Sequence, residues 1–227
     1  MSLQINNLTG FGGTGVADII LTDEGTSSPD SGAGGTGHTY NSKASTRAHA
    51  YVLITWEDAG GTANTLSTIT WNTVGMTIEK QQAAAVGGDK TGAAICYIPG
   101  VQAAQNIVAT FNAGTKNSKI DIISIDNLRS STYIDVDSAS GSASTGSLAA
   151  LVAPSAGGIS LAIIAHEDSP TTIGWTPSPE VVELSDADLG GTARHSSAYR
   201  YGVGTGDINW TSTGGADRFA ICGISLR

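Results

Sequence analysis

The chain carries little positive charge and nowhere gathers it. Eleven Lys and Arg face twenty Asp and Glu, a formal net charge of −9. The basic residues are scattered between Lys43 and Arg227. A surface that tracks phosphates needs them on one face, so nucleic-acid binding and docking to anionic lipid are both disfavoured. Charged residues of either sign make up only 14% of the chain, which is poor material for long surface helices. No apolar run approaches the ~20 residues of a membrane-spanning helix, so no membrane partner is expected. The opening Met1-Ser-Leu-Gln-Ile-Asn-Asn7 has no basic segment followed by an apolar one. It predicts no secretory leader and synthesis in a cytoplasm. The two cysteines, Cys96 and Cys222, each sit inside an apolar, strand-like run. Both are expected to be buried free thiols acting as small hydrophobes.

What is present is glycine, at 30 residues, with much Ser, Thr and Ala. No window holds a 3.6-residue apolar period for long; the best helical candidate is the short run 100–106. Period-two and continuous apolar runs recur instead, bounded by Gly, Asn, Asp, Ser and Pro. The expectation is an all-β chain of short strands joined by turns, organised as one domain over residues 1–227. Two stretches look loop-like: Thr22–Gly37, a flexible loop or an arm ordered by a neighbour, and Ser138–Gly146, a slight linker.

The chain also echoes itself. Tyr51-Val-Leu-Ile-Thr-Trp-Glu-Asp58, Ile69-Thr-Trp71 and Ala93-Ala-Ile-Cys-Tyr97 are followed by Ile107 and by Ile120–Ile125. Later come Leu161-Ala-Ile-Ile-Ala-His-Glu-Asp168, Ile173-Gly-Trp175 and Ser196-Ser-Ala-Tyr-Arg200, then Ile208 and Phe219–Ile224. The separation drifts from about 110 to about 99 positions, as unequal loops would make it. The copies span about residues 45–128 and 158–227. Each alone leaves an apolar sheet face uncovered. They are therefore expected to be two half-sandwiches sharing one core, in a jelly-roll-like β-sandwich of two antiparallel sheets.

Several residues are of types that could carry chemistry. Gly10-Phe-Gly-Gly-Thr-Gly15 matches a dinucleotide pattern, but the β-like Val16–Leu21 follows it where a helix is required. No histidine pair has metal-ligand spacing, and no Gly-x-Ser-x-Gly elbow exists. Glu57-Asp58 and Glu167-Asp168 close equivalent strands. As acids at strand ends they are solvated and discourage edge pairing; otherwise they could bind calcium, or flank a glycosidic bond. Asp186 and Asp188, before Gly190-Gly191, have the flavour of a calcium loop without its later bidentate Glu. The tryptophans, Trp56 among them, are either core fillers or a face on which sugars stack. Trp56, Glu57, Asp58, Glu167 and Asp168 are thus the candidate ligand residues. No cofactor is required; calcium is the one candidate.

Three stretches carry a resemblance: Leu66-Ser-Thr-Ile-Thr-Trp-Asn-Thr-Val-Gly-Met-Thr-Ile-Glu79, the strand ending Ile164-Ala-His-Glu-Asp168, and the close Arg218-Phe-Ala-Ile-Cys-Gly-Ile-Ser-Leu226. Together they resemble jelly-roll domains of bacteriophage structural proteins and bacterial surface proteins. Ala93-Ala-Ile-Cys-Tyr-Ile-Pro-Gly100 fits the same pattern, whereas Asn72-Thr73-Val74 stands where that family prefers Gly-Gly. The resemblance covers about residues 45–227. It implies a virion or surface role and no catalytic residues, hence no enzyme. The expectation is a capsid decoration or cement protein, or a head or tail appendage component. It would contact other virion proteins and itself, with a trimer favoured. The alternative is a carbohydrate-binding module or receptor-binding adhesin.

Overall fold

The computed structural model describes residues 18–29, 34–58, 64–84, 90–130, 133–149, 151, 157–167, 172–177, 180–190, 193–202 and 207–227. Among these every regular element is a strand. The first set is β1 (Ile20–Ser27), β2 (Gly37–Lys43), β3 (His49–Asp58), β4 (Leu66–Trp71), β5 (Val74–Gly75), β6 (Thr77–Ala83), β7 (Thr91–Pro99), β8 (Gln105–Phe111) and β9 (Thr115–Asp126). The second is β10 (Asp135–Ala143), β11 (Thr145–Leu148), β12 (Ile159–Glu167), β13 (Ile173–Thr176), β14 (Val181–Asp188), β15 (Ala193–Tyr201), β16 (Ile208–Ser212) and β17 (Asp217–Leu226).

Where two sheets were expected, four form, all with antiparallel ladders. Their orders are β1-β9-β3-β7-β6, β2-β8-β4-β5, β10-β17-β12-β15-β14 and β11-β16-β13. Counted within its own set, each sheet of the second group repeats an order of the first, the short β5 apart. The ladders repeat too. Tyr51 pairs with Tyr97 on one side and Ile123 on the other; Leu161 pairs with Tyr199 and Ile224. Hydrogen-bond register therefore matches Ile224 to Ile123, not Ile125, and Tyr97 to Tyr199, not Arg200.

The sheets stack in four layers with three cores between them. Strand alternation assigns the faces. Ala50, Val52, Ile54 and Trp56 of β3 pack with Tyr40, Ile69, Trp71, Ile107 and Phe111 of the outer sheet. Tyr51 and Leu53, from the other face of β3, pack with Leu161, Ile163, Tyr199 and Ile224. Ala162 and Ile164 of β12 then meet Leu148, Ile173, Trp175, Ile208 and Trp210 of the last sheet. The two five-stranded sheets are thus covered on both faces. That is why β3, β7, β12 and β17 read as continuous apolar runs rather than alternating ones.

Several local expectations change. Thr22–Ser27 is strand, the end of β1, on a sheet edge where polar residues suffice. Gly25 takes a φ of 105° at the bulge between Asp23 and its partners on β9. Residues 30–33 of the expected loop lie outside the described set. Ser138–Gly146 is strand in β10 and β11 instead of a linker, and the run 100–106 is irregular chain leading into β8. At the β4–β5 hairpin, Asn72 and Thr73 have φ of 47° and 68°. Both take the left-handed backbone of a two-residue turn that glycine usually supplies. Cys96 and Cys222 are buried free thiols, and burial raises both pKa values well above the usual thiol range.

Candidate functional site

Glu57 and Asp58 close the central strand β3. Successive side chains on a strand point to opposite faces, and the two acids go to different partners. Glu57 is fully buried; Lys116 Nζ donates to its Oε1 at 2.9 Å and Asn117 Nδ2 to its Oε2 at 3.1 Å. In the second set Glu167 is met by Arg218 Nη1 at 2.6 Å. Lys116 lies on β9 and Arg218 on β17, the closing strand of each set. Each glutamate is therefore tied back to the end of its own sheet.

Asp58 faces the outer sheet. Its Oδ2 accepts the Asn64 amide N–H at 3.0 Å, while Oδ1 is buried without a hydrogen-bond partner among the described residues. Asn64 reaches on to the Ala113 carbonyl at 2.8 Å and Thr115 Oγ1 at 2.7 Å. Burial pushes the Asp58 carboxyl up to about 6, against the hydrogen bonds of Asn64 and the charge of Lys90. Such a group can exchange a proton near neutrality. Glu57 cannot serve as its acid–base partner, since it lies across the sheet. Asp168 lies outside the described residues.

Trp56 is core. Its ring packs on Phe111 at a centroid distance of 5.4 Å and fills a notch over Gly92, where a Cβ would fall 2.1 Å from it. Trp71, Trp175 and Trp210 are buried as well, so no tryptophan offers a flat face to a sugar. Asp186 is gripped by Arg194 through both carboxylate oxygens, at 2.5 and 3.1 Å. Asp188 Oδ1 accepts the Gly190 N–H at 2.7 Å. Both lie in strand β14, not in a loop, and an arginine already occupies the place a cation would take at Asp186. Among the described residues no three His, Cys, Asp or Glu side chains gather as metal ligands.

No known protein family, curated protein or solved structure matches the chain.

Among the described residues, one dense polar cluster is passed over by motif and spacing arguments. Asp121, on β9, points into the seam between the two five-stranded sheets. His195 Nε2 donates to its Oδ2 at 2.8 Å, Ser185 Oγ at 2.5 Å, and Ser197 Oγ also; Thr26 Oγ1 donates to Oδ1. An ionised carboxylate only accepts, so His195 Nε2 carries the proton. The other ring nitrogen, Nδ1, meets Thr55 Oγ1 at 2.8 Å. Burial works to raise the Asp121 pKa. The charge of His195 and the hydrogen bonds from His195, Ser185 and Ser197 outweigh it and hold the group near 2. A hydroxyl, an imidazole and a carboxylate in line have the order of a nucleophile triad. Here Thr55 and His195 are 0% and Asp121 1% exposed, so the hydroxyl has no route to a substrate. The signal was an Asp at an inward position of Ile120-Asp-Ile-Ile-Ser-Ile125, in register with Ile123 and Ile125.

Proposed function

We propose that the chain is a structural protein of a bacteriophage particle, a decoration or cement protein or a head or tail appendage component. It works through protein–protein contacts and assembles with itself, a trimer being the first stoichiometry to test. The carrying observation is the fate of the candidate ligand residues. Trp56 is buried in a core, Glu57 and Glu167 are closed by cations of their own sheets, and Asp186 is held by Arg194. What they build is a stiff four-layer body, suited to fixed contacts multiplied by symmetry.

The same proposal makes each strand set a jelly-roll unit and the chain their tandem duplication. Eight strands in the second set and nine in the first, the short β5 being the extra one, each divided between two packed sheets, support it, as do the repeated orders and ladders. In the first set the chain pairs briefly with β4 as β5, then crosses to pair with β7 as β6. One jelly-roll strand shared between the two sheets would give that path.

Gradient-purified particles from a lysed host carrying the gene test the role, probed by labelled antibody and peptide mass spectrometry. The expected result is the protein on the particles at a fixed ratio to the major capsid or tail protein. Protein found only in the soluble fraction, with selective binding on a glycan array, would favour the adhesin instead.

A further inference from the structure

The seam between the two five-stranded sheets is apolar almost throughout, lined by Leu53, Ile95, Ile123, Leu161, Ile163 and Ile224. The Thr55–His195–Asp121 network interrupts it, and it does so on one side only. Asp121 pairs with Leu53 in the first sheet; at the matching ladder position of the second, Cys222 pairs with Ile163. Thr55 pairs with Ala93, and Ala165 with His195. The ladder match therefore sets Asp121 against Cys222, Thr55 against Ala165, and His195 against Ala93. Each of these three has a small or apolar counterpart, whereas among their donors Ser185 stands against Lys80 and Thr26 against Ser138.

Those counterparts lie on the other side of the seam, where the two sheets approach each other more closely. β9 faces β15 through the Asp121–His195 bond, while β17 faces β7. At the far edge β6 meets β10, where Gln82 Nε2 donates to Ser140 Oγ at 3.0 Å and Ser138 Oγ to Gln82 Oε1 at 3.1 Å. Apolar contact is non-directional, so two similar faces of Ile, Leu, Ala and Tyr can meet in more than one register. A carboxylate in that seam tolerates only the register that sets its donors around it. Elsewhere it would be buried unpaired. The donors come from both sides: Thr26 from the first strand set, and Ser185, His195 and Ser197 from the second.

We propose that the one-sided Thr55–His195–Asp121 network is a register lock, selecting a single way for the two five-stranded sheets to face each other. It acts by penalising the alternatives, in the manner of a lone polar residue that sets register in an apolar interface. It needs no substrate and no solvent access, which suits its complete burial.

The test is the full chain with T55A, D121C and H195A together, in reducing buffer, so that each residue becomes its counterpart in the ladder match. The expected result is a folded, all-β protein whose seam amides, Leu53, Ile123, Leu161 and Ile224 among them, each give two or more NMR peaks. The minor form should reach at least about a tenth of the population, while the indoles of Trp71 and Trp210 in the outer cores stay single. One set of peaks throughout would overturn the proposal. So would failure to fold, since the network would then be required for the fold and not for the choice of register.

Discussion

Asp58 and Asp121 are equally hidden from solvent, each 1% exposed, yet their chemistry diverges. Asp58 accepts from Asn64 on one oxygen and has no hydrogen-bond partner on the other among the described residues, and its carboxyl is pushed up to about 6. Asp121 has donors on both oxygens, one of them a histidine, and is held near 2. Burial raises both; the donors that replace water decide the outcome. The two carboxylates also sit in different joints, Asp58 at the end of one sandwich and Asp121 between the two central sheets.

Alanine at each position is the harshest way to break this comparison. Asp121→Ala strands His195, Ser185 and Ser197 in the seam and should lower the unfolding free energy by about 3–5 kcal/mol. Asp58→Ala removes one hydrogen bond and one poorly solvated charge, and at pH 8 should cost no more than about 1 kcal/mol. Denaturant titration of both variants measures the gap; equal losses would mean that burial alone governs.

The pH dependence should differ in sign. The Asp121 pKa lies below its unfolded value of 3.8. Its contribution is therefore present above pH 3.8 and lost as the pH falls through about 2. Asp121→Asn should lack that acid limb. The Asp58 pKa lies above 3.8, so its contribution is full below that pH and lost as the pH rises through about 6. Asp58→Asn, which mimics the protonated acid, should therefore gain about 2–3 kcal/mol over the native chain at pH 8. Thermal melts should show that gain vanish below pH 4.

The all-β class was legible because turn residues punctuate the chain and no helical period survives. The echo was legible at Glu57/Glu167, which end strands with continuous apolar runs; Trp71/Trp175 and Ile107/Ile208 cannot both hold, since Trp71 pairs with Ile107 but Trp175 with Trp210. It slipped at β7/β15 and β9/β17, because continuous Ile and Ala runs give no register by eye; only hydrogen bonds fix it. The count of four sheets was missed although Tyr51–Trp56 announces a strand covered on both faces. Edge strand β2, and β1 beyond Leu21, were hidden by their own polar residues. At the candidate site, the acids were visible as strand ends but their closure was not. Lys116, Asn117 and Asn64 come from elsewhere in the chain, and no local pattern predicts that they arrive.

The most direct measurement is a carbon-detected NMR titration of the aspartate side chains in the intact protein from pH 2 to pH 8. The account predicts a midpoint near 6 for Asp58 and one near 2 for Asp121, with Asp121 still largely ionised at pH 3. Midpoints for both near the ordinary carboxylate value would contradict it, because the two buried acids would then sit in equivalent surroundings.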